Sequence, residues 1–181
     1  ISTEDSQSTT FEVPELPVSL ELDKLDVESI EIGASVIGQA VDLSLSGSAQ
    51  LAGGQMDIDL EALRAGDAGR FTITAAFANE TRQLDVDLAL QEPSGGIVAT
   101  LLSIPGAPEL DLSLNGSAPL TDFVAAISLK TNQSEQVAGE IRYKEAAADT
   151  EGALVFGADL AGDLRPLFAS DFHAFFGSKS E

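Results

Sequence analysis

From Leu16 almost to Leu160, apolar and polar residues take turns along this chain, and a period of two fits one backbone geometry: extended strands with a dry and a wet face. The clearest runs are VSLEL (18–22), VDLSL (41–45), MDIDL (56–60), FTITAAF (71–77), LDVDLAL (84–90), LDLSL (110–114), FVAAISL (123–129) and VAGEIRY (137–143). Between them stand turn formers: Gly33, Gly47, Gly53 with Gly54, Gly66 with Asp67, Asn79 with Glu80, Asn115 with Gly116, and Asn132. Short strands at this pace predict an all-β architecture. The apolar content is 44%, enough for a sizeable buried surface, yet aromatics make up only 6%. Many thin strands built from Leu, Ala, Val and Ile suit that balance better than one thick core.

Two places break the rhythm. GGIVATLLSIPG (95–106) is a mostly apolar run between glycines and a Pro-Gly stop, and it predicts a short helix near 95–105. In GDLRPLFASDFHAFFG (162–177), Leu164, Leu167, Phe168, Phe172, Phe175 and Phe176 fall at offsets 0, 3, 4, 8, 11 and 12, a helical spacing over 164–176. Asp163 would cap its start, Pro166 fits its first turn, and Gly177 would stop it.

The chain also repeats itself. VDLSLSGSAQL (41–51) and LDLSLNGSAPL (110–120) agree at eight of eleven positions, 69 residues apart, and QMDIDLEAL (55–63) echoes QLDVDLAL (83–90). A repeated strand unit cannot bury its dry face alone, so units must stack along an axis or close on one another. The expected organisation is a flexible polar leader over 1–15, a repetitive antiparallel β-groove segment over 16–161, and a short amphipathic helical tail over 162–181. Ile1 opens on ISTEDSQSTT with no signal-peptide pattern, so the chain is expected to begin in mid-protein.

Nine basic against 30 acidic side chains give a net charge of -21, a field that repels nucleic acid and anionic bilayer surfaces. Without cysteine there is no disulfide, thiolate metal site or thiol nucleophile. No stretch approaches the roughly 20 apolar residues of a membrane-spanning helix.

Few residues invite chemistry. Asp57 with Asp59, and Asp85 with Asp87, put paired carboxylates on one strand face, where they could hold a hard cation or act as an acid/base pair, but they read first as solvating charges on the wet side. His173 is the only histidine and stands beside Phe172, so it reads as an exposed helix residue. Nucleotide-binding and nucleophile-elbow strings are missing. Asn79-Glu80-Thr81, Asn115-Gly116-Ser117 and Asn132-Gln133-Ser134 match a glycosylation triplet and read as turns. The expectation is no enzyme, no metal and no cofactor.

The strand units ending in LSLSGSA and LSLNGSAPL, the linker LLSIPGAPELDLSL (101–114) and the tail GDLRPLF…FHAFFG resemble alphaproteobacterial members of the TamB family, within the AsmA-like superfamily, over residues 16–177. The resemblance implies an elongated folded β-sheet trough in the periplasm of a Gram-negative bacterium, part of an inner-membrane-anchored translocation and assembly module. It further implies phospholipid transport or outer-membrane protein assembly with the barrel partner TamA, bound through regions outside this stretch. On that reading Asp42, Ser44, Asp57, Asp59, Asp85, Asp87, Asp111 and Ser113 face water. The candidate groove is formed by Val41, Leu43 and Leu45; Ile58 and Leu60; Phe71, Ile73 and Phe77; Leu84, Val86, Leu88 and Leu90; Leu110, Leu112 and Leu114; and Ile127 and Leu129. Two competitors remain: a closed structural β spacer or interaction domain that binds nothing, and a hydrolase built on acidic residues converging in a cleft.

Overall fold

Alternation along the chain becomes a single antiparallel sheet in the computed structural model, which describes residues 11–66, 69–144 and 155–168. Nine strands follow one another in space as they do in sequence: β1 (Leu20–Ile32), β2 (Val41–Ala52), β3 (Gln55–Arg64), β4 (Arg70–Ala78), β5 (Gln83–Glu92), β6 (Leu110–Pro119), β7 (Phe123–Thr131), β8 (Ser134–Lys144) and β9 (Val155–Gly162). Each pairs antiparallel with the strand before and after it, leaving β1 and β9 as edges of an open sheet. The fold class is all-β, with two short helices, α1 (Ala34–Ile37) and α2 (Ile97–Leu101).

The turns form where the chemistry allows them. Gly53 and Gly54 both have positive φ between β2 and β3, and Asn132 and Gln133 do the same between β7 and β8, the backbone that matches the twist of a tight hairpin. Asn79 and Glu80 open the turn between β4 and β5.

Two expected turns lie inside strands instead. Gly47 is within β2 and Asn115-Gly116 within β6, each fully paired on both sides. Glycine is required there by space. A Cβ at Gly47 would run into the Asp59 carbonyl and Leu60, and one at Gly116 would lie 2.6 Å from Phe123 Cζ and 2.9 Å from Ala125 Cβ. These matching positions of the internal repeat are places of close approach.

The sequence places a helix over 164–176. The structure has one 3-10 turn, Arg165–Leu167, after which Phe168 is extended (φ -125°, ψ 153°). The start is as expected: the Asp163 carboxylate accepts the Arg165 backbone N–H at 3.0 Å, as a capping residue does, and the Arg165 guanidinium donates to it at 2.8 Å; the break comes at Phe168. Phe172, His173, Phe175, Phe176 and Gly177 lie outside the described residues. The helix expected near 95–105 is α2; α1 has no strong signal in its sequence, ASVI.

β1 is longer than its alternating run suggests because two register shifts reset its phase. Extra residues between Leu22 and Leu25, and between Val27 and Ile30, bring Leu20, Leu22, Leu25, Val27, Ile30 and Ile32 to one face, opposite Leu51, Ala49, Gly47, Leu45, Leu43 and Val41.

Candidate functional site

Register carries the apolar face across the whole sheet. One cross-strand row runs Leu25, Gly47, Leu60, Ile73, Leu88, Leu114, Ile127, Gly139, Leu160; its neighbour runs Val27, Leu45, Ala62, Phe71, Leu90, Leu112, Leu129, Val137, Gly162. A third row is small at every second place or nearly so: Leu22, Ala49, Ile58, Ala75, Val86, Gly116, Ala125, Ile141, Ala158. Every groove residue named from the sequence lies on this face. Val41, Phe77, Leu90 and Leu110 are buried, and the others, Leu88 and Leu114 among them, are half-buried.

The apolar face is the inside of a curl. Met56 on β3 and Phe156 on β9 line one cavity of about 350 Å³ with Phe11, Leu84, Leu120, Phe123, Ile141 and Tyr143. Six strand spacings would set those strands about 29 Å apart in a flat sheet, too far to share so small a space.

A buried cluster stands at each end of the groove. At one end Val13, Phe77, Leu120, Phe123 and Ala125 form a buried cluster, extended by Leu51, Met56, Ala118, Ile141 and Tyr143. Of the predicted polar leader, residues 1–10 lie outside the described residues, whereas Val13 is 3% exposed within this cluster and Phe11 meets Phe77 edge to face at 5.1 Å. At the other end Ala99, Ile104 and Leu110 form a second cluster with Val98, Ala107, Leu129 and Leu167. Beside it a cavity of about 250 Å³ opens among Leu43, Ala62, Phe71, Leu90, Ile97 and Val98.

Glu92 organises that second end. It lies on the apolar face opposite Leu110, only 7% exposed, and its two carboxylate oxygens accept the backbone N–H groups of Ile97 and Val98 at 2.9 Å each. The first turn of α2 thereby has its open donors satisfied by a strand residue. A Cβ on Gly96 would lie 2.5 Å from the carboxylate, so glycine is needed for the arrangement.

The opposite face is polar, and it carries all the residues expected to face water. Its rows interleave charge with neutral groups: Ser48, Asp59, Thr74, Asp87, Asn115 in one, and Gln50, Asp57, Ala76, Asp85, Ser117 in the next. Asn115 donates to Asp87 at 2.5 Å, and Ser117 donates to Asp85. Glu21, Asp23, Asp57, Asp59, Asp85 and Asp87 line a shallow depression there of about 550 Å³. Among the described residues, no three or more possible ligands gather as a metal site, and no helix is long and apolar enough to cross a membrane.

Alternation alone would have added Met56, Phe123, Ile141, Tyr143 and Leu160 to the groove, since each shares the parity of its strand. Phe11, Val13, Asn79 and Glu92 had no such signal. They matter through partners that only the fold brings near. Comparison with family models, with curated proteins and with solved structures returns no match to this chain.

Proposed function

We propose that this chain is a periplasmic segment of an inter-membrane transport or assembly protein of the TamB type, and that its apolar groove receives phospholipid acyl chains or unfolded outer-membrane protein. The observation that supports this reading is an apolar face running from β1 to β9 on which Leu60, Ile73, Leu88, Leu114 and Ile127 are left only half-buried. A covered sheet would bury its Leu rows fully, as paired sheets do. Each methylene transferred from water to such a surface gains about 0.8 kcal/mol, so a few acyl segments are held without a polar recognition site. Retention and sliding are then compatible. The polar face keeps the structure dissolved and discourages pairing between sheets.

Native mass spectrometry of gently prepared chain tests the lipid arm. Phospholipid adducts are expected, and Leu88→Asp, at the centre of the groove, should remove them; adducts that survive the substitution unchanged overturn a mid-groove site. A second reading, a structural spacer that binds nothing, is favoured by the buried clusters at both ends. An environment-sensitive hydrophobic dye separates the two: enhanced emission that Leu88→Asp abolishes supports the groove, and no enhancement supports the spacer.

A further inference from the structure

The end of the groove near Phe77 already holds a piece of polypeptide. Val13 exchanges two hydrogen bonds with a single side chain: its N–H donates to Asn79 Oδ1 at 2.9 Å, and Asn79 Nδ2 donates to its carbonyl at 2.8 Å. Two bonds to one residue is the pattern a strand residue makes with its hydrogen-bonded partner in an antiparallel ladder, so the Asn79 amide stands in for a neighbouring strand. Arg82 Nη1 donates to the Phe11 carbonyl at 3.3 Å. Side chains two residues apart face the groove, Phe11 against Phe77 and Val13 within the buried cluster, while Glu12 between them is exposed. Main-chain bonds combined with alternate side-chain seats are how extended peptides are recognised.

We propose that this end of the groove is a binding site for extended apolar polypeptide, occupied in cis by residues 11–13, and that a client segment with apolar residues two apart enters by displacing them. The proposal rests on the groove reading above and narrows the guest at this end to polypeptide. An acyl chain offers nothing to the Asn79 amide, and a part-buried amide stripped of its partners is costly. The cavity of about 350 Å³ beside Phe11 leaves room for a larger side chain than the cis occupant supplies, and Phe11 itself remains 51% exposed. Residues 14–19, which include Pro14 and Pro17 and form no strand, tether the occupant to β1. Such a short tether holds the segment at an effective concentration on the order of millimolar. A longer client overcomes this by adding contacts further along the groove.

The test uses a fluorescein-labelled peptide of residues 10–16, TFEVPEL, and the full chain carrying Phe11→Ser with Val13→Ser. Fluorescence anisotropy is expected to show saturable binding at least about tenfold tighter than to the unsubstituted chain. Adding Asn79→Leu, or N-methylating the peptide's valine so that it cannot donate, should each weaken binding by about tenfold. An unlabelled peptide of unrelated sequence with the same apolar spacing should compete, and a monomeric lysophospholipid should not. A measurement on the unsubstituted chain guards against a variant that fails to fold: excess peptide should speed hydrogen exchange at the Val13 amide. No saturable binding, indifference to both Asn79→Leu and N-methylation, displacement by lipid alone, or unchanged exchange at Val13 under saturating peptide overturns the proposal. Lipid adducts sensitive to Leu88→Asp that persist beside such a failure leave the groove reading standing; peptide binding without adducts leaves only this one.

Discussion

Glu92 shows how one polar side chain can be indispensable on an apolar face. Its carboxylate occupies two amide donors of α2, so Glu92→Leu strands both, at about 1–3 kcal/mol for each. The urea midpoint should fall accordingly, and the amides of Ile97 and Val98 should exchange faster; Glu92→Gln, which keeps one acceptor, should lie between. An unchanged midpoint would remove Glu92 from its assigned place. Gly116 makes the complementary point about space. Gly116→Ala puts a methyl against Phe123 and Ala125 and should cost about 1–3 kcal/mol, as overpacking does. Gly157→Ala, whose Cβ meets only Arg142 Cβ at 3.9 Å, should leave the midpoint unmoved.

Among the elements, β1 and β9 are unequal edges. β1 carries two register shifts and a run of charge that includes Glu21, Asp23, Lys24, Asp26, Glu28 and Glu31, all devices that spoil docking of another strand; β9 is regular and carries Asp159 as its single charge. Deleting Lys24 and Glu28 together removes both extra residues while keeping Leu22, Leu25, Val27 and Ile30 in phase. The doubly deleted chain should retain its β circular dichroism yet associate as concentration rises in sedimentation velocity; loss of the β signal would show that the shifts are needed for folding itself.

The same elements show what could be read beforehand. Period two fixes the face of each paired residue because a strand has only two sides, and so which residues of β2 to β7 share the apolar face is legible. Gly47 and Gly116 look like turns in sequence, since a glycine forced by a neighbour's approach is indistinguishable there from one forced by a positive φ. In the tail stripe only the start is described: a capped 3-10 turn that ends at Phe168, while Phe172, Phe175 and Phe176 lie outside the described residues. Val13 could not be placed at all: its hydrogen-bonding partner lies 66 residues away and has no periodicity to announce it.

Across the whole molecule, charge works against compactness. Asp59 and Asp87 share a row two strands apart, as do Asp57 and Asp85, a separation of about 9.6 Å at ordinary strand spacing. Screening reaches about 30 Å at 0.01 M salt and about 8 Å at 0.15 M, so the mutual repulsion of a chain with net charge -21 is largely felt in the first case and largely removed in the second. Thermal and urea midpoints should therefore rise on adding sodium chloride over that range, and a flat response would show that the alternation of acids with Thr and Ala already suffices.

Because every strand of the described sheet hydrogen-bonds only to its chain neighbours, the ladder that sets its width is additive. Taking out or splicing in one hairpin restores the up-down alternation and the sidedness of everything beyond it, with no distant pairing to repair. Such a design behaves like a zip whose teeth can be counted: the span of its apolar face is a length that evolution, or an engineer, sets by arithmetic.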